Sequence, residues 1–282
     1  MCLIVFDWRP DAVDAPLFTL AANRDEFFRR TAEPMHWWSE APGLLAGRDL
    51  VGGGTWLGMT RDGRFAALTN YRAPHEMRAD APTRGMLVSN WLTGEPSVQL
   101  TPLDYLQRVA QDGAIYNGFN LLVGDWTRRE LAWYCNRVDR STAAPTLLAA
   151  GTHGISNAVL DTAWPKLTRK RAELGTLLAR DPLAPLEGLI ELMRDPRLAR
   201  DDELPSTGIP LERERVLSAA FIESPEYGTR GTTALRVLAN GTRGEHSEHL
   251  SAAVAERSDD NGAHRVVRPG DFERSFAFNI ER

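Results

Sequence analysis

Met1-Cys2-Leu3-Ile4-Val5-Phe6 opens the chain, and its reading decides the fold. The continuous apolar run Cys2–Phe6 predicts a β-strand, and Leu17–Ala22 predicts a second. A Pro- and Asp-rich connection separates them, so the pair reads as a hairpin buried on at least one face. Cys is small, and methionine aminopeptidases remove Met1 when the next residue is small. Removal leaves a thiol and a free α-amine on one residue. An amine with a pKa of about 7.7–8.0 can take a proton from a thiol near about 8.5, which assembles nucleophile and base together. The thiolate is the reactive form. The plainer alternative is that Cys2 is a small hydrophobe beginning a buried strand.

The bulk properties narrow the classes. A chain of 282 residues, 43% hydrophobic and 25% charged, has the composition of a globular protein with a substantial core. A net charge of −5 argues against nucleic acid or an anionic membrane as partner. The apolar stretches fall well short of the ~20 residues that span a bilayer, so no integral membrane association is expected. Asp7, Arg9 and Asp11 come too early for a secretory leader, which predicts a cytoplasmic protein. Cys2 and Cys135 cannot build a disulfide framework, in keeping with a reducing compartment. The eight Trp are expected in the core or in a pocket wall.

Further along, Ala46–Gly54 is glycine-rich, and Thr55–Thr60 and Arg64–Asn70 read as strands around the turn Asp62-Gly63. Thr83–Leu92 reads as a helix capped by Thr83. A second helix runs from Thr101, with Pro102 in its first position, to about Gln111. Phe119–Gly124 and Glu130–Cys135 read as paired strands, with Leu147–Ala150 as another. Thr162–Ala179 has amphipathic helical spacing, and Leu186–Met193 extends the helical region. The last third returns to strands at Thr232–Ala239, Thr242–Leu250 and Phe276–Ile280, with a polar loop at Ala255–His264. Strands first, helices in the middle and strands last predict a single α+β domain over residues 1–282, built from layered sheets covered by helices.

Several polar groups stand where chemistry is often placed. Asn23-Arg24-Asp25-Glu26 follows the second strand directly, at a strand mouth. Asn70 and Asn157 each end a short segment of strand character, and a buried amide there can donate to a developing oxyanion; alone, each also suits a turn. Tyr227-Gly228-Thr229-Arg230 leads into a late strand and can place a guanidinium near a carboxylate. On a strand, His246 and His249 would point to opposite faces, which argues against shared metal ligation. Gly52-Gly53-Gly54 lacks the Lys-Ser/Thr of a phosphate loop. No metal or nucleotide cofactor is implied.

Taken in order, these segments resemble the NRDE family, named for Asn-Arg-Asp-Glu, which includes the transport and Golgi organisation protein 2 homologues. The matching text is Met1–Ile4, Ala22–Glu26, Gly53–Gly58, Leu68–Arg72, Tyr116–Leu122, Ser156–Ala158, Asp161–Lys166 and Tyr227–Arg230. The resemblance implies a four-layer αββα sandwich of the N-terminal-nucleophile hydrolase type, close to cholylglycine hydrolases and penicillin V acylases. Cys2 would lie on the first strand, facing the cleft between the sheets. It implies catalytic roles for Cys2, Asp25, Asn70, Asn157 and Arg230, and makes Asn23, Arg24, Glu26 and Arg72 candidates for substrate binding. One departure bears on Arg24. Those hydrolases usually place the first Arg three residues before the Asp, whereas Arg24 adjoins Asp25, so the two cannot both face Cys2 if the strand continues through them.

Two functions follow from the resemblance. One is hydrolysis of a linear amide or related acyl bond by an N-terminal cysteine. The other is binding or trafficking of a small-molecule ligand, haem or an acyl-CoA lipid, in the same cleft.

Overall fold

A computed structural model describes residues 2–94, 100–137, 144–241, 249–258 and 273–281. The opening hairpin is present as β1 (Cys2–Trp8) and β2 (Ala15–Phe27), antiparallel, with Cys2 opposite Arg24 and Trp8 opposite Phe18. The chain then crosses to a second sheet through β3 (Ala32–Trp37), β4 (Leu44–Asp49), β5 (Leu57–Thr60) and β6 (Arg64–Asn70). Gly63 makes the β5–β6 turn at φ +92, a conformation that glycine adopts without strain.

Two helices follow, α1 (Gly85–Thr93) and α2 (Pro102–Asp112). Thr101 caps α2 in a reciprocal box with Asp104, and Pro102 takes the first helical position. The start of α1 differs from expectation, because Arg84 and not Thr83 occupies the cap position, with no side-chain capping bond.

Strands β7 (Phe119–Asp125), β8 (Glu130–Cys135) and β9 (Thr146–Leu147) complete the second sheet, and β10 (Gly151–Ile155) returns to the first beside β1. Next come α3 (Pro165–Arg180), α4 (Leu186–Met193) and α5 (Leu211–Leu217). The helix expected from Thr162 begins three residues later. Trp164 precedes Pro165, and a residue before proline is pushed out of the helical region; its ψ is 142. Strands β11 (Tyr227–Asn240), β12 (His249–Ser258) and β13 (Glu273–Asn279) finish the first sheet.

Two late expectations change. Ala255–Ser258 belongs to β12, and Glu256 and Arg257 are buried there; residues 259–264 lie outside the described residues. Of the expected strand Thr242–Leu250, only His249 and Leu250 are described, and they begin β12; His246 also lies outside the described residues.

The first sheet has six strands in the order β10-β1-β2-β11-β12-β13, and the second has seven, in sequence order from β3 to β9. Every named pairing is antiparallel. Ile4, Phe6 and Trp8 of β1, with Phe18 and Leu20 of β2, face the second sheet and meet Leu57, Met59, Phe65 and Leu122. Phe18, Phe65 and Trp126 stack with ring centroids 4.6–5.2 Å apart. The intervening residues Leu3, Val5 and Ala21 face the other way, onto Leu167 and Leu174 of α3 and Leu189 and Ile190 of α4. On the far side, α1 and α2 cover the second sheet with Leu87, Val88, Trp91 and Leu106. The layers therefore run helix, sheet, sheet, helix. A strand covered on both faces needs apolar residues at every position, which is why Cys2–Phe6 reads as a run and not an alternation.

Candidate active site

β2 does not stop at Asn23. It continues through Asn23-Arg24-Asp25-Glu26 to Phe27, so those four side chains are sorted by the strand's alternation. Directly opposed residues on antiparallel strands project to the same face. Cys2 and Arg24 are such partners and both look into the cleft between the sheets, whereas Asn23 and Asp25 look toward the helices. The cleft has a volume of about 570 Å³, and Cys2, Arg24, Asp25, Glu26, Asn70 and Arg230 all contribute to its lining.

Cys2 is 7% exposed. Burial pushes its thiol above the usual range and the Asp25 charge adds to this, while Arg24 and the Asp25 backbone N–H favour the thiolate. The Asp25 side chain is buried behind Cys2. Thr229 Oγ donates to its Oδ1 at 2.7 Å, and Thr229 in turn accepts from the Ile222 N–H at 2.9 Å. Burial raises the Asp25 carboxyl, and the largest opposing charge is that of Lys166.

Asn70 closes β6 at the cleft wall. Asn157 is buried beneath it, and its Nδ2 donates to the Asn70 carbonyl at 2.8 Å. The Asn157 carbonyl accepts the Arg72 N–H at 2.7 Å, so Asn157 clamps the strand end that carries Asn70 and does not itself line the cleft.

Arg230 sits at an irregularity in β11 between Thr229 and Gly231, and its guanidinium donates to the carbonyls of Phe27 and Arg30. It thereby ties the β2–β3 turn to the cleft floor.

Two expected binding residues are placed elsewhere. Asn23 is fully buried on the helix side, where its Nδ2 donates to the carbonyls of Met193 (2.9 Å) and Ala220 (2.7 Å), and its Oδ1 accepts from Thr232 at 2.7 Å. Its amide is satisfied by the fold and is not presented to the cleft. Arg72 forms a buried ion pair with Glu214 and lies over the Trp164 ring at 4.8 Å, so its guanidinium also turns from the Cys2 cleft.

Three site residues escaped the sequence reading. Arg84, at the start of α1, lines the cleft and donates to the Gly118 carbonyl at 2.9 Å. Glu256 lines it from β12, its carboxyl raised by burial while its Oε1 accepts the Met35 N–H at 2.7 Å. Lys166, in the first turn of α3, is 2% exposed and is drawn down to about 8, first by burial. The available signals were the Thr83-Arg84 helix start, one acid within a supposed loop, and a lysine within Trp164-Pro165-Lys166. None of them shows burial.

The cleft adjoins a groove of about 640 Å³ walled by Phe27, Tyr71, Met77, Ile209, Val216 and Tyr227; Glu26, Asn70 and Arg84 line both. Among the described residues, no three His, Cys, Asp or Glu side chains converge as a metal site, and no helix is long and apolar enough to cross a membrane.

The fold is thus an α+β sandwich of layers helix, sheet, sheet, helix, with Cys2 on β1 at the inter-sheet cleft. Residues 1–250 match the Transport and Golgi organisation 2 family, and the chain belongs to it. A Transport and Golgi organization protein 2 homolog of Bos taurus is 38% identical over 258 residues, covering 86% of this chain and 90% of that protein. The Homo sapiens homolog is 34% identical over 284 residues, covering 96% and 99%. Among solved structures, a Caenorhabditis elegans N-acylethanolamine-hydrolyzing acid amidase ortholog aligns with a TM-score of 0.48 and 8% identity, covering 82% of this chain and 91% of that one. A mutant conjugated bile acid hydrolase from Clostridium perfringens aligns with a TM-score of 0.46 and 9% identity, covering 99% and 98%.

Proposed function

We propose that the chain hydrolyses a linear amide or related acyl bond, with Cys2 as nucleophile once Met1 has been removed. The observation that carries this reading is the Cys2 side chain in the cleft, opposite Arg24 and beside Asn70 and Arg230. A thiol raised by burial needs a proton acceptor, and the α-amine released with Met1 is one. The amine takes the thiol proton, and the sulfur attacks the acyl carbon. Asn70, held by Asn157, donates to the oxyanion that forms. As the bond to the leaving group breaks, the ammonium returns its proton to that group and a thioester remains on Cys2. Water, deprotonated by the same amine, then attacks the thioester and restores the thiol. Asp25 lies behind this centre and orients the amine, while Arg230 fixes the floor of the cleft. Turnover of N-acyl amides and activated acyl esters by Cys2→Ala and Cys135→Ala tests the assignment. The first should lose about 10³-fold or more and the second should keep its activity; full turnover by Cys2→Ala would end the covalent mechanism.

A second reading draws on the apolar groove beside the cleft. There the chain binds haem or an acyl-CoA, with Arg84 at the shared rim meeting an anionic group. Calorimetric titration with haemin and with an acyl-CoA tests it, and no saturable binding of either would remove it.

A further inference from the structure

Tyr116-Asn117-Gly118 leads into β7 and has no part in the chemistry proposed for Cys2. Its neighbour in space is the connection from β6 to α1, residues 73–83, which carries one short 3₁₀ turn at Pro74–Glu76. None of residues 73–83 is buried, and those from His75 to Asp80 are exposed. A segment that adds nothing to the core keeps its place through polar contacts, and it opens at low cost when these are lost.

The contacts that hold it gather on Asn117 and Gly118. Asn117 is 8% exposed; its Oδ1 accepts the Arg78 N–H at 2.8 Å, and its Nδ2 donates to the Arg78 carbonyl at 2.9 Å. One side-chain amide thus takes up both backbone groups of a single loop residue. The Gly118 carbonyl accepts the Tyr71 N–H at 2.9 Å and the Arg84 guanidinium at 2.9 Å, so both flanks of the loop are tied to one atom. The Arg78 side chain donates to the carbonyls of Ala114 and Ile115, and Glu76 pairs with Arg137. A compact surface segment with its ends drawn together in this way is an Ω-loop.

The loop stands between the two cavities. Its first half, through Ala73, Pro74 and Met77, walls the apolar groove; its second half, through Ala79, Ala81 and Pro82, walls the Cys2 cleft. Arg78, the residue gripped by Asn117, is where one wall passes into the other. Asn117 borders the cleft and reaches the groove through the loop. We propose that Asn117 is the latch of this loop, and through it a positioning residue that keeps the groove shaped for the apolar acyl chain of the substrate. The scissile carbonyl then lies at Asn70, which lines both cavities. The acyl-chain role rests on the hydrolase reading above; the latch does not.

Amide hydrogen exchange of the full chain, read by mass spectrometry, tests the latch. In Asn117→Ala, exchange across residues 73–83 should rise about tenfold, as the loss of two hydrogen bonds implies, with β6 and β7 protected as before. Asn117→Asp keeps an acceptor for the Arg78 N–H and loses the donor to its carbonyl. It should fall between the two, and it carries the test if Asn117→Ala fails to fold. Calorimetric titration with dodecanoate needs no turnover, and its Kd should rise about tenfold in Asn117→Ala, the worth of nearly two buried methylenes. KM for a dodecanoyl amide should rise alike. Its kcat, and both constants for an acetyl amide, should change by less than about twofold. Loop exchange unmoved by both variants overturns the latch. Loosened exchange with dodecanoate unbound by the unaltered chain or bound equally by the variants, or a kcat that falls alike for both amides, overturns the positioning role. If the exchange and dodecanoate results hold while Cys2→Ala keeps full turnover, the latch stands and the hydrolase reading falls.

Discussion

Cys2 and Arg24 are direct cross-strand partners on β1 and β2, and both side chains enter the cleft from the same face of the sheet. Asp25, one residue on, leaves the opposite face and accepts from Thr229, its cross-strand partner on β11. The guanidinium is thus the charge directly across the strand pair from the sulfur, and the carboxylate lies behind them. Arg24 favours the thiolate. In a Cys135→Ala background, Arg24→Ala should raise the Cys2 thiol further and slow its alkylation by iodoacetamide about tenfold at pH 7. Equal rates with and without Arg24 would contradict this pairing.

Asn157 is expected to act through Asn70. Asn157→Ala removes the donor to the Asn70 carbonyl and frees the end of β6. The expected outcome is a fall of about tenfold in kcat with KM nearly unchanged, because the oxyanion contact matters in the transition state more than in substrate binding. A rise in KM alone would place Asn157 in binding.

Gly54 marks a close approach of backbones at the cleft wall. A Cβ there would stand 2.4 Å from the Gly85 carbonyl carbon, which cannot swing away, whereas a Cβ at Gly43 meets nothing within 4 Å. Gly54→Ala should cost about 2 kcal/mol in urea unfolding and Gly43→Ala close to nothing. Equal effects would refute the steric account.

How much of this was legible beforehand depended on whether the cause was local. Cys2–Phe6 and Leu17–Ala22 are unbroken apolar runs, and the hairpin they announce is present. Thr101-Pro102 announces α2 in the same way. β3 was missed because Pro34 interrupts it, which its place at a sheet edge allows. β10 was legible only as a short segment of strand character before Asn157, because Gly151 and Gly154 weaken its pattern. Asn-Arg-Asp-Glu looked like a polar strand end, so which of its members faces Cys2 depended on whether the strand continued. The partners of Asn23 lie 170 and 197 residues away, and no local pattern points to them.

The β10 turn carries a pH-dependent contribution to stability. His153 Nδ1 lies 2.8 Å from Asp161 Oδ2; this bond raises the imidazole, and Asp161 lies below the usual carboxylate range. A raised His contributes stability that is complete below its unfolded value near about 6.5 and is lost as pH climbs through the folded value. A lowered Asp contributes above its unfolded value near about 3.9 and loses it as pH falls. The pair should therefore stabilise most between about pH 4 and 6.5. Asp161→Asn should cost about 1–2 kcal/mol at pH 5.5 and distinctly less at pH 8.5. A cost that does not shrink with pH would remove the ion pair from the explanation.

The central claim, that Cys2 is the acyl-accepting nucleophile, is tested most directly by intact-mass spectrometry with peptide mapping. The purified protein is incubated with an activated acyl ester and quenched in acid. The account requires a chain that begins at Cys2 and carries one acyl group on that residue's sulfur, absent in Cys2→Ala. A chain that retains Met1 and acquires no acyl group, under conditions where the ester is still turned over, would contradict it.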